Sequence, residues 1–210
     1  MGRALRMVGL ALGLIGLFLQ FCITVPASME AGRSLFGSIL FYFSFFTILT
    51  NIGAVLVYVS LLSPSGYAWL PAFASPRMRA GVAVAIAVVF LVYITVLAPL
   101  QKLEGASALC NILLHYGAPV IFVLWWLLAG RDGSSRWSDI ALWLVYPLAY
   151  LAYALVQVPF TGVVLYPFLD MAANGVAGVA LSALTITAVF LVISVLAILA
   201  DRHISRSSKA

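Results

Sequence analysis

Thr47, Thr50 and Asn51 stand at i, i+3 and i+4 within the stretch Phe43-Ser-Phe-Phe-Thr-Ile-Leu-Thr-Asn51. On a 3.6-residue period they share one helical face. The apolar run around them, Leu35 to Leu62, is too long and too oily for the surface of a soluble protein. Lipid offers polar groups no partner, so that face must look inward, towards another polar group or a cavity. A threonine hydroxyl there is a weak nucleophile until a base takes its proton. The only histidine within a spanning segment is His115, and imidazole ordinarily titrates near neutrality. Thr47 as nucleophile and His115 as base are therefore the candidate catalytic pair. The competing reading is structural: a threonine bonded back to its own helix carbonyl, and a histidine that stiffens the bundle.

The supporting groups are sparse. Asn111 precedes His115 by one helical turn, so the two share a face. The Asn51 and Asn111 amides are candidate donors to an oxyanion. Thr50 competes with Thr47 for the nucleophile's role. Asp170, in Leu165-Tyr-Pro-Phe-Leu-Asp170, is read either as an acid favoured near a helix N-terminus or as an orienting carboxylate for His115. Tyr146, Tyr150, Tyr153 and Gln157 form one stripe at spacings of four, three and four. That stripe reads first as packing with satisfied hydroxyls. Tyr146 and Tyr150, with Tyr166 from the loop, are also candidates to line a pocket. Pro147 and Pro119 should bend their helices and open space between them.

These residues must be positioned by membrane-spanning helices. Apolar residues make up 65% of the chain and charged residues 8%, against about 25% charged in soluble domains. The predicted fold class is all-α, a polytopic six-helix bundle. Its spans are Leu5–Thr24, Leu35–Leu62, Gly81–Leu100, Ala108–Ala129, Ile140–Val158 and Val176–Ala200, each near the ~20 residues a bilayer requires. Residues 1–200 form one domain, and 201–210 a polar, basic, frayed tail. The first run is longer than a signal-peptide core and is read as a retained helix. Its Gly9 and Gly13 allow close helix contact. Unbroken apolar runs exclude a barrel of alternating strands.

With the N-terminus inside, the inner segments hold Arg3, Arg6, Arg77, Arg79, Arg131, Arg136, Arg202, Arg206 and Lys209, and the outer loops only Arg33 and Lys102. Both termini are then cytoplasmic. The long inner connection from Ser63 to Ala80 carries Pro64, Gly66, Pro71 and Pro76. Ser138 is the expected cap of the fifth helix, with Trp137 an interfacial anchor. The net charge of +5 sits at helix ends rather than in a patch, which favours a membrane surface over nucleic acid. Cys22 and Cys110 give no thiolate cluster, and two histidines give no metal-ligand set. No metal or other cofactor is expected. There is no nucleophile elbow, phosphate loop or dinucleotide fingerprint, and no pair of related halves of the transporter kind.

With those residues in view, the chain resembles the androgen-induced integral membrane protein family, which includes hydrolases of fatty acid esters of hydroxy fatty acids. Three stretches carry the likeness: Phe45-Phe-Thr47-Ile-Leu-Thr-Asn51, His115 with Pro119 following, and Tyr166-Pro-Phe-Leu-Asp170. The resemblance implies a six-helix intramembrane threonine hydrolase, with Thr47 as nucleophile and His115 as essential histidine. Its bacterial members look closer to this chain than the animal enzymes. Asn51 departs from the animal pattern, which is apolar there. The implied setting is a bacterial cytoplasmic membrane, and the implied partners are membrane lipids and a lipid-ester or fatty acid ligand. The alternative is a non-enzymatic membrane protein that binds or transports lipids or small molecules through the same cavity.

Overall fold

Backbone placed in lipid has to close its hydrogen bonds internally, and helices do so within one segment. The computed structural model describes residues 1–63 and 70–207, with side chains at 1–63 and 71–203, and the regular elements among them are all helical. Pro64 and Gly66 of the predicted connection, and Lys209 of the predicted tail, lie outside the described residues.

The elements are α1 (Gly2–Glu30), α2 (Leu35–Phe43), α3 (Phe46–Leu62), the short α4 (Leu70–Ala74), α5 (Pro76–Val92), α6 (Gly105–Asn111), α7 (Ala118–Trp125), α8 (Asp139–Val156), the single turn α9 (Val158–Thr161) and α10 (Met171–Ser207). Wider π turns extend α5 at Tyr93–Leu97, join α6 to α7 at Ile112–Gly117, and extend α7 at Trp126–Gly130. Five continuous stretches are long and apolar enough to cross a membrane: Gly2–Glu30, Pro76–Leu100, Gly105–Gly130, Asp139–Thr161 and Met171–His203. The predicted second span is not continuous. It breaks between α2 and α3 with a bend of 73°, and only the pair taken together makes a sixth crossing.

Packing radiates from α5, which touches α3, α7 and α10. Lipid tails are as apolar as leucine, so van der Waals fit rather than escape from water holds such helices together. The glycines of α1 supply part of that fit. A β-carbon at Gly9 would strike the Tyr58 ring, and one at Gly13 would come 2.7 Å from Val55 Cγ2. The predicted close approach of the first helix is thus made against α3. Beneath it Tyr58, Phe122 and Trp125 interlock edge to face, with centroids 5.2 to 5.4 Å apart.

Both described ends of the chain lie at the same end of the bundle. Arg6 Nη1 donates to Leu61 O at 3.0 Å, and Arg202 Nε to Ser135 O at 3.0 Å. Asp201 is drawn inward there by the amides of Asp132, Gly133 and Ser135, at 3.1, 3.1 and 2.9 Å. α10 continues past that anchor to Ser207. The expected Ser138 cap is corrected, since its side chain makes no capping bond. Asp139, the first residue of α8, ties the helix start back to the preceding loop, accepting from Arg136 N at 2.8 Å and pairing with Arg77 at 2.7 Å. Cys22 and Cys110 are free thiols, and Cys110 Sγ lies 3.0 Å from Gln20 Oε1.

Candidate functional site

The break between α2 and α3 organises the site. Phe45 is extended (φ −89°, ψ 131°), so the carbonyl of Ser44 and the first amide of α3 lose their helical partners. Unpaired backbone groups at membrane depth cost several kcal/mol each, roughly, so the break needs partners from elsewhere. Tyrosines supply them. Tyr150 donates to Ser44 O at 2.8 Å, and Tyr146 to Phe46 O at 3.3 Å. Tyr166 accepts from Phe46 N at 3.1 Å, and the Tyr153 hydroxyl shares a 2.7 Å bond with Ser44 Oγ. The predicted tyrosine stripe of the fifth span therefore does pack with satisfied hydroxyls, and what it satisfies is a broken helix.

Because of the break, Thr47 is the second residue of α3 rather than the middle of a long helix. Thr95, Thr187 and Ser194 each bond back to the carbonyl four residues earlier. Thr47 has its corresponding carbonyl across the break, and among the described residues it makes no such bond. Its hydroxyl and its amide lie instead beside the Tyr166 phenol. The positive end of the α3 dipole points at this spot.

A second device positions His115. Pro119 has no N–H to offer the His115 carbonyl, and its ring crowds that carbonyl. The preceding turn widens into the π turn Ile112–Gly117, closed by Ala118 N to Leu113 O. Pro99 stands in the same relation to the π turn Tyr93–Leu97. The two widened turns bring Tyr93 and His115 into a stack, centroids 4.0 Å apart and planes 25° from parallel. π turns recur at functional sites because they re-aim side chains at little cost. His115 Nδ1 is buried beside the Asn111 carbonyl without a completed hydrogen bond among the described residues.

Two cavities meet here. A wide one, about 480 Å³, runs past Gln20, Thr24, Arg33, Phe41, Gln101 and Asn111. A narrow apolar one, about 100 Å³, lies among Val88 and Val92 of α5, Leu148 and Leu151 of α8, and Ile186 and Phe190 of α10. Thr47, Tyr93, Leu97, His115 and Tyr166 border both. The candidate hydroxyl and the candidate imidazole thus stand on the walls of the same two spaces. Among the described residues no hydrogen bond joins them directly.

The other predicted residues separate. Thr50 turns away to the Tyr146 hydroxyl at 2.8 Å and borders neither cavity. Asn51 is fully buried, and its Nδ2 donates to Thr47 O at 2.9 Å and to Leu114 O at 3.2 Å. It therefore staples α3 to the neighbouring span instead of facing a ligand. Asn111 does border the wide cavity and lies against the Tyr93 hydroxyl. Asp170 is at the start of α10, where Oδ1 accepts from Ala172 N at 2.8 Å and Ala173 N at 3.2 Å. It borders neither cavity, so the cap reading replaces the orienting one. Tyr150 and Tyr166 line the narrow cavity as expected, whereas Tyr146 is held by Thr50 outside both walls.

Sequence reasoning passed over Tyr93. Its signal was available in Pro99, which stands two residues past the π turn holding Tyr93, as Pro119 does past the one holding His115. Arg33 was noted only for its charge, yet it borders the wide cavity, with its guanidinium 4.4 Å from the Phe41 ring centre. Comparison with known proteins gives no match: no family model fits the chain, and no curated protein or solved structure matches it.

Proposed function

We propose that this chain is an intramembrane lipid-ester hydrolase in which Thr47 attacks the ester carbonyl and His115 takes its proton. The observation that carries the reading is the shared wall: Thr47 and His115 both border the junction of a wide polar-rimmed cavity and a narrow apolar one. An ester of a long-chain acid fits that division, with its chain in the narrow space and its carbonyl at the junction. Leu148 borders the narrow cavity yet is half exposed on the lipid-facing surface, which supports lateral admission from the membrane. Water reaching the junction from the wide side then releases the acyl-threonine.

On this reading the bent pair α2–α3 counts as one span, making six, and the chain is a bacterial member of the androgen-induced integral membrane protein family. On the same reading both termini are cytoplasmic, which the cationic excess at the end that holds them supports under the positive-inside rule, and the membrane is a bacterial cytoplasmic one. The site then lies towards the outer leaflet, and the partners are membrane lipids.

The second reading is a non-enzymatic lipid- or small-molecule-binding or transport protein. The missing direct bond between Thr47 and His115, and a wide cavity of about 480 Å³, favour it. Purified protein in nanodiscs, given long-chain esters and a fluorophosphonate probe, separates the two. The hydrolase gives turnover and an adduct mapped to Thr47. Turnover that persists in both Thr47→Ala and His115→Ala removes the proposed roles, and bound lipid with neither turnover nor adduct establishes the second reading.

A further inference from the structure

Attack on an ester carbonyl moves an electron pair onto its oxygen, and a site at membrane depth must meet that charge with a donor. The amides expected to do so are spent or distant. Asn51 Nδ2 has its two hydrogens on Thr47 O and Leu114 O, and Asn111 lies against Tyr93 and does not border the narrow cavity. We propose that Tyr166 is that donor, a catalytic phenol beside Thr47; the proposal rests on the reading of Thr47 as nucleophile.

Three observations carry it. Tyr166 borders both cavities at their junction, as Thr47 and His115 do. Its oxygen accepts from Phe46 N at 3.1 Å, which leaves the phenol's own hydrogen to donate and polarises it towards doing so. Its neighbours in the oxygen cluster place their own hydrogens elsewhere: Tyr150 lies against Tyr166 but donates to Ser44 O, and the Tyr146 hydroxyl is shared by Thr50 and Phe46 O.

The motif Tyr166-Pro-Phe-Leu-Asp170 then acquires a use. Pro167 opens a 3-10 turn through Leu169, and Asp170 caps α10 directly after it. Asn174 Nδ2 ties Pro167 O at 2.8 Å and Asp170 O at 2.9 Å, while Phe168 stacks on the Tyr166 ring at 5.2 Å. A loop so tied holds the phenol still, and preorganisation is what makes such a donor effective.

In the step itself the Thr47 Oγ–carbon bond forms as the Thr47 proton passes to His115. The carbonyl π pair moves onto oxygen, which accepts a hydrogen bond from Tyr166 without taking its proton. Collapse breaks the carbon–oxygen bond to the alcohol, and the imidazolium returns the proton to that leaving oxygen. Water repeats the sequence to free the acid.

The test compares Tyr166→Phe with Tyr150→Phe in nanodiscs. Two readouts are used: kcat and KM on a long-chain ester, and inhibition by a long-chain trifluoromethyl ketone against the matching methyl ketone. Thr47 adds to the fluoroketone to give a stable oxyanion. Tyr166→Phe should lower kcat by about 10²-fold with KM within threefold, and should erase the fluoroketone preference. Tyr150→Phe should keep that preference. A Tyr166→Phe protein with kcat within threefold of wild type and an intact preference overturns the proposal, as does equal loss in Tyr150→Phe. Should Tyr166→Phe not fold, fluorotyrosine at 166 keeps the ring and alters only the donor, and an unchanged kcat overturns the role. A wild-type protein inert to both ester and fluoroketone overturns the hydrolase reading itself, a different outcome from an active wild type indifferent to Tyr166.

Discussion

The bundle has two unlike halves. Around Tyr58, Phe122 and Trp125 the helices meet on glycine and aromatic faces, and the side chains are almost wholly buried. Around Thr47 the helices are broken, widened into π turns or bent, and two cavities remain. Both halves use tyrosine. In the packed half Tyr58 fills volume, and its hydroxyl has no hydrogen-bond partner among the described residues. In the open half Tyr150 donates to the carbonyl freed at the break and Tyr166 accepts from the freed amide, while Tyr146 and Tyr153 bond the Thr50 and Ser44 side chains beside it. The difference teaches that a void inside a membrane bundle must be built: polar partners hold the backbone apart, where apolar packing would let it close.

The comparison breaks most sharply at Thr47. Thr47→Ala should lower ester turnover by roughly 10⁴-fold, in line with losing the nucleophile of an acyl-transfer site. Its thermal midpoint should stay close to wild type, because the neighbour its hydroxyl meets, Tyr166, keeps its bond from Phe46 N; scanning calorimetry beside the rate assay checks both. Phe122→Ala should do the opposite. It empties the packed half and should cost about 3–5 kcal/mol of stability, read as a lowered unfolding midpoint, while residual folded protein keeps its KM. Tyr150→Phe sits between the halves. It leaves the Ser44 carbonyl without its donor and should cost about 1–3 kcal/mol, with faster hydrogen exchange confined to the α2–α3 junction. The smallest effect is expected at Ala183, which borders the narrow cavity. Ala183→Leu should change stability by less than about 1 kcal/mol, since it enters a void rather than a filled core. It should move acyl preference towards shorter chains, measured on a series of ester lengths. Unchanged preference would mean that this cavity takes no chain.

The helical, membrane-like architecture was legible because it follows from composition and run length alone. The inward face of Thr47, Thr50 and Asn51 was legible too, and all three are buried. What they do there was not. Their three side chains diverge to a cavity, to Tyr146 and to Leu114, and divergence over a few ångströms depends on which helix stands opposite. Asp170 was ambiguous for a related reason. A carboxylate ahead of a helix satisfies the capping pattern locally, and only the packing of the loop decides whether anything else reaches it.

The sequence by itself determined that these helices are apolar enough for lipid and that Pro119 disturbs the turn before it, since those are properties of single segments. The tertiary structure alone decided that the second run breaks at Ser44–Phe45. No glycine or proline stands at that point. The break exists because hydroxyls about a hundred residues further on meet the freed carbonyl and amide, and a hydrogen bond between distant segments has no local signature.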